Sequence, residues 1–217
     1  MHQNGSSDGT HRPSDMFDLS SRTIVLTGGL GGLGTALTET LLLYGADVVS
    51  TDLADVPPAD AWSYDVEAPL LKVAKQTGGR LTYIPCNATS EQSVTETFAR
   101  IEQDARHPTR GLVTLAGISG RSPAVDYERS AFQHIMDVNV TGTFLCTQAA
   151  ARLMHKQMVP GSVVMFASMS ATNVNKVSSN HYLLRKTFEL TVRIGGRYMR
   201  IQYLKVCCTS ASSESWG

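Results

Sequence analysis

The stretch TIVLTGGLGGLGTALTETLLL, Thr23 to Leu43, decides how the rest of the chain is read. It opens with a short apolar run rich in β-branched residues, which predicts a strand over 23–28. It closes with helix-like periodicity over 33–44. Between them lies TGGLGGLG, with five glycines in eight residues. Glycine loses more backbone freedom on folding than any other residue, so such a cluster calls for a reason. A strand-to-helix turn supplies one. The first N–H groups of a helix have no partner inside it, and they and the helix dipole favour an anion. Side chains would block close approach of a pyrophosphate to that backbone. The register is locally ambiguous: Gly29, Gly31 and Gly34 spell GxGxxG, while Thr27, Gly28, Gly32 and Gly34 spell TGxxxGxG.

Working outward, the same alternation repeats. Strand-like runs occur at 47–53, 81–86, 111–116 and 162–167, too uniformly apolar for a sheet with one wet face. Helix-like stretches occur at 66–77, 90–105 and 130–157, and Ser90-Glu91 opens the second of these with Val94, Phe98 and Ile101 on one face. Strand and helix in alternation predict an α/β fold: a doubly wound parallel sheet in three layers, with helices on both faces. RIQYLKVCC, Arg200 to Cys208, fits a sixth strand. Residues 1–20 read as a disordered lead, 21–208 as one domain and 209–217 as a polar tail.

Composition narrows the function. The 217 residues carry 19 basic and 19 acidic side chains, and no Lys/Arg-rich run appears. A nucleic-acid surface or a basic membrane patch is not expected. No apolar run approaches the ~20 residues that span a bilayer, and the N-terminus lacks the apolar stretch of a signal peptide, so a cytoplasmic location is expected. Cys86, Cys146, Cys207 and Cys208 form no CxxC pair and have no His at metal spacing, which predicts buried thiols and no metal.

Three further features bear on chemistry. The second strand ends in Asp52, whose carboxylate can accept hydrogen bonds from both ribose hydroxyls of an adenosine and would repel a 2′-phosphate. That favours NAD over NADP. Tyr182 and Lys186 are four apart and share a face on a helix. An ammonium group beside a phenol favours the phenolate and brings a pKa near 10 toward neutrality, the requirement for an acid/base. Ser168 stands at the C-terminal end of the fifth strand, the edge where parallel sheets bind ligands.

Taken together, TGGLGGLG, Asp52, CNAT (86–89), LAG (115–117), NVTG (139–142), Ser168 and YLLRK (182–186) resemble the short-chain dehydrogenase/reductase family, in order and spacing, over about residues 20 to 206. The resemblance selects the TGxxxGxG register and implies a Rossmann-type domain whose cofactor turn is Gly28, Gly32, Leu33 and Gly34. It implies that Tyr182 is the catalytic acid/base, with Lys186 lowering its pKa and contacting the nicotinamide ribose. Ser168 would polarise the substrate oxygen, and Asn139 would hold a water linking Lys186 to solvent. Asn87 would sit beside the adenine, and Ala116 and Gly117 would line the cleft. A homo-oligomer acting on a small alcohol or carbonyl compound is expected. The sequence departs from the family at Thr114-Leu115, where two asparagines are usual, and at Asn87, where aspartate is usual. By comparison with the family the chain also lacks the last strand and the substrate segment. Two functions follow: an active oxidoreductase interconverting an alcohol and a ketone, or a dinucleotide-binding, catalytically weak short form pairing with a full-length relative.

Overall fold

A computed structural model describes residues 17–57, 69–120, 126–167, 193–194, 197–198 and 200–205. The expected alternation is present. Strand β1 (Thr23–Thr27) leads through the glycine turn into α1 (Gly32–Leu43), then β2 (Asp47–Asp52), α2 (Pro69–Thr77), β3 (Leu81–Pro85), α3 (Glu91–Asp104) and β4 (Thr109–Thr114). A long helical stretch follows in three pieces: α4 (Arg129–Met136), a π-helical turn (Asp137–Gly142) and α5 (Thr143–Lys156). Then come β5 (Ser162–Ala167), β6 (Arg193–Ile194), β7 (Arg197–Tyr198) and β8 (Arg200–Lys205).

Six strands form one parallel sheet in the order β3-β2-β1-β4-β5-β8. The order reverses direction between β1 and β4, and that crevice, at the C-terminal edge, is where such sheets take ligands. The doubly wound expectation therefore holds. Strands β6 and β7 instead pair antiparallel with each other. They stand on either side of Gly195-Gly196 in the sequence, where no strand is expected from the sequence.

The alternation of side chains across β1 builds two cores. Val25 joins Val49, Phe98, Ile101, Leu112 and Met154 on the face covered by α3 and α5. Ile24 and Leu26 join Leu42, Val48, Leu70 and Ala74 on the face covered by α1 and α2. A sheet buried on both faces requires strands that are apolar throughout, and every residue of β1 is buried. Helix α3 begins as its sequence specifies, with the Ser90 hydroxyl accepting from Ser93 N at 3.2 Å.

The opposite edge is closed by charge. Asp47, buried at the start of β2, accepts from Arg106 Nε at 3.0 Å, and Arg106 also donates to the Gly78 carbonyl at 3.3 Å. The described chain begins inside the segment expected to be a disordered lead. There the Phe17 ring packs edge-on to Tyr44 at 6.2 Å, and Leu19 N donates to the Tyr44 carbonyl at 2.9 Å. Residues 1–16 and 209–217 lie outside the described residues.

Candidate functional site

The C-terminal ends of β1, β2, β3 and β4 are knitted together by backbone and by two side chains. Leu115 N donates to the Thr27 carbonyl at 3.0 Å, and Ala116 N to the Thr27 hydroxyl at 3.3 Å. Gly29 N donates to the Thr51 carbonyl at 3.1 Å. Asp52 Oδ2 accepts from Leu30 N at 3.0 Å, and Oδ1 from Leu53 N at 2.8 Å. The Asp52 carbonyl accepts from Cys86 N at 2.7 Å. One acidic side chain thus fixes the glycine turn against the end of β2, while Thr27 fixes the start of the loop after β4.

The glycines divide by what surrounds them. Gly28 has φ +71°, in the left-handed region, and an added Cβ would lie 2.6 Å from Ala116 N. A Cβ on Gly34 would strike the Gly28 carbonyl and lie 2.6 Å from Gly29 Cα, so helix and turn touch there backbone to backbone. One on Gly29 would strike the Ser50 hydroxyl. Gly32 is different: an added Cβ would meet nothing within 4 Å. No packing inside the described chain demands a glycine at this position. Its face is open, and it is the first residue of α1.

That open face coincides with unused donors. Gly31 caps α1 without a side-chain hydrogen bond, and no acidic residue stands in the first turn. Among the described residues, the N–H groups of Gly32, Leu33 and Gly34 have no acceptor. Three backbone donors at a helix N-terminus, beside a glycine lacking any side chain to bar approach, fit a pyrophosphate. A dinucleotide is a chemical match for the turn. Around the same edge Leu33, Leu53, Val56 and Ile118 expose apolar side chains.

At the other side of the crevice, Asn139 lies in the π-helical turn, a departure from regular helix that often marks functional positions. Its Nδ2 donates to the Ile118 carbonyl at 2.9 Å and its Oδ1 accepts from Ile118 N at 2.9 Å. A Cβ on Gly117 would come within 3.1 Å of Asn139 Oδ1, so Gly117 makes room for this clamp. Asn87 is committed locally, its Oδ1 accepting from Thr89 N at 3.0 Å and from the Thr89 hydroxyl at 2.8 Å. Its side-chain NH2 has no hydrogen bond among the described residues.

The structure therefore brings Gly28, Gly32, Leu33, Gly34, Asp52, Asn87, Ala116, Gly117 and Asn139 to one edge of the sheet. Ser168, Tyr182 and Lys186 lie outside the described residues. Two participants were not legible beforehand. Ser50 supports the glycine turn from below, and Ile118 acts through its backbone, which leaves no trace in residue type. Among the described residues there is no cluster of three or more His, Cys, Asp or Glu able to hold a metal, and no helix long and apolar enough to cross a membrane.

Comparison with known proteins agrees with this fold. The profile of the short chain dehydrogenases matches residues 22–182. A short chain dehydrogenase/reductase of Aspergillus versicolor is 42% identical over 163 residues, covering 75% of this chain and 54% of that protein. A ribulose-forming D-arabinitol 2-dehydrogenase of Candida albicans is 31% identical over 163 residues, covering 73% of this chain and 58% of that protein. The crystal structure of a short-chain type dehydrogenase/reductase from Mycobacterium marinum superposes with a TM-score of 0.67 at 30% identity, covering 77% of this chain and 64% of that one. The chain thus spans between about half and two thirds of the length of these relatives. With a matched profile over most of its length, a doubly wound sheet and a glycine turn at the crevice, the chain belongs to the short-chain dehydrogenase/reductase family.

Proposed function

We propose that the chain is a NAD-dependent oxidoreductase interconverting a secondary alcohol and a ketone. The observation that carries this reading is the turn itself: three N–H groups at the head of α1 with no acceptor among the described residues, beside the open face of Gly32, at the point where strand order reverses. When bound there, the nicotinamide cofactor would supply or accept the hydride. Gly28, Gly32, Leu33 and Gly34 hold the pyrophosphate. Asp52 faces the adenosine ribose, and each of its oxygens keeps acceptor capacity beyond the one backbone bond it already makes. Its negative charge disfavours the 2′-phosphate of NADP. Asn87 flanks the adenine; Ala116 and Gly117 line the crevice.

Tyr182, with its pKa lowered by Lys186, gives a proton to the substrate oxygen in reduction and takes it back in oxidation. Ser168 holds that oxygen as negative charge develops on it. Asn139, fixed to Ile118, keeps the water through which Lys186 exchanges protons with solvent. The arabinitol dehydrogenase among the relatives points to polyols and ketoses as first substrates to try. We also assign the chain to the cytoplasm as a homo-oligomer, which fractionation and analytical ultracentrifugation will check.

The experiment is a turnover assay with NADH and a panel of ketoses and simple ketones, for the wild-type chain and Tyr182→Phe. The expected result is turnover in the first and none in the second, with NADH binding equal in both. Equal turnover in the two proteins contradicts the mechanism. Binding of NADH with no turnover of any substrate leaves the catalytically weak short form as the better reading.

A further inference from the structure

Two thiols lie apart from the crevice, without a part in the proposed hydride transfer. Cys86 directly follows β3, and Cys146 lies near the start of α5. Both are free, and both are buried in the same apolar cluster. The backbone explains their meeting. A Cβ on Gly142 would lie 3.1 Å from both the Ala88 Cβ and the Ala88 carbonyl, so the start of α5 rests against the 86–89 segment. Cys146 is one turn beyond Gly142 on that same face. The two thiols are close enough for each to shift the titration of the other, and Thr97 and Ser93 flank Cys86 from α3.

We propose that Cys86 and Cys146 are an oxidisable dithiol, a modification site at which a hydroperoxide closes a disulfide between the end of β3 and α5. A buried structural thiol in purely apolar surroundings is inert, because burial disfavours the thiolate that reacts. Cys86 is not in that situation. The hydrogen bond from the Cys146 thiol, aided by Thr97 and Ser93, outweighs burial and brings Cys86 down to about 7, while Cys146 is pushed up by the same contact and by its own burial. Cys86, the more exposed of the two and placed in the segment after β3, is the attacking sulfur, and Cys146, fully buried within α5, is the resolving one.

The steps balance. The Cys86 thiolate attacks one peroxide oxygen; an S–O bond forms, the O–O bond breaks, and the departing hydroxide takes a proton to leave as water. The Cys146 sulfur then attacks the Cys86 sulfur; the S–S bond forms and the S–O bond breaks. The released hydroxide takes the Cys146 proton and leaves as a second water. Each sulfur gives up one electron, and the hydroperoxide accepts both. The bridge ties the Asn87 turn to the helix that carries Asn139.

Treating the full chain with hydrogen peroxide and digesting it without reduction tests this. The expected product weighs two hydrogens less than the starting protein, yields a peptide pair joined through Cys86 and Cys146, and reverts with dithiothreitol. The double variant Cys207→Ser/Cys208→Ser is expected to give the same bridge. Cys146→Ser is expected to stop at a Cys86 sulfenic acid captured by dimedone; if that variant fails to fold, the peptide map of the wild-type chain decides alone. Recovery of both buried thiols unoxidised after peroxide has consumed a small-molecule thiol overturns the proposal. So does a bridge that runs only through Cys207 or Cys208.

Discussion

Asn139 grips the backbone of Ile118 at both ends, donating from Nδ2 to its carbonyl and accepting at Oδ1 from its N–H, each at 2.9 Å. An amide side chain carries a donor and an acceptor side by side, so it can bond the N–H and the C=O of one residue at once. The clamp ties the π-helical turn to the loop leaving β4, across the crevice from the glycine turn. Asn139→Ala is expected to cost about 2 kcal/mol, roughly 1 for each lost bond. Asn139→Asp at neutral pH is expected to be worse, since a carboxylate cannot donate to the Ile118 carbonyl and repels it. As pH falls and the carboxyl is protonated, donation returns and the deficit of the aspartate variant narrows. Urea unfolding of the three proteins at pH 7 and pH 4 measures this.

Two glycines two residues apart are expected to answer differently to the same substitution. Gly34→Ala sets a Cβ against the Gly28 carbonyl and Gly29 Cα, backbone that cannot swing aside. It is expected to destabilise by about 3 kcal/mol or to prevent soluble expression. Gly32→Ala meets nothing among the described residues, and alanine is the better helix former by up to about 1 kcal/mol, so stability is kept or gained. Only the approach of a ligand suffers. Thermal denaturation beside NADH titration separates the two effects.

Asp52→Ser is expected to shift preference from NADH toward NADPH by tenfold or more in relative Kd, because the charge that repels a 2′-phosphate is gone. It also removes the acceptor for Leu30 N, so some loss of affinity for both cofactors is expected. Binding titrations with each dinucleotide read the ratio. An unchanged ratio contradicts the assignment of Asp52 to the ribose.

At the far edge, Arg106→Leu leaves the buried Asp47 carboxylate without its cation. The expected loss is about 1.5–3 kcal/mol in stability, with NADH affinity unchanged because the pair lies at the opposite end of the strands. Urea midpoints and a binding titration check the two halves of this statement.

The sheet was legible because a doubly wound core demands apolar strands, and Ile24, Val25 and Leu26 announce one while serving both cores. Helix α3 was legible because Ser90 caps it with its own side chain. The glycine turn was legible as a turn but not in register. Its register rested on distant residues; in the described chain an added Cβ meets nothing at Gly32 and only an ordinary 3.4 Å contact with the Gly28 carbonyl at Gly31. What stayed hidden acts through backbone or through tertiary contact. Ile118 serves by its peptide group, and the approach of Cys146 to Cys86 depends on Gly142 resting against Ala88. Neither has a sequence period. The π-helical turn was read as part of one continuous helix over 130–157, since its residues keep the apolar spacing on either side.

The most direct test of the account is isothermal titration of NADH into the full chain and into Gly32→Val. The account predicts saturable binding to the wild-type chain and at least a tenfold weaker Kd in the variant, whose thermal stability remains close to that of the wild type. Equal affinity in the two proteins, or no binding to the wild-type chain at millimolar NADH, contradicts it.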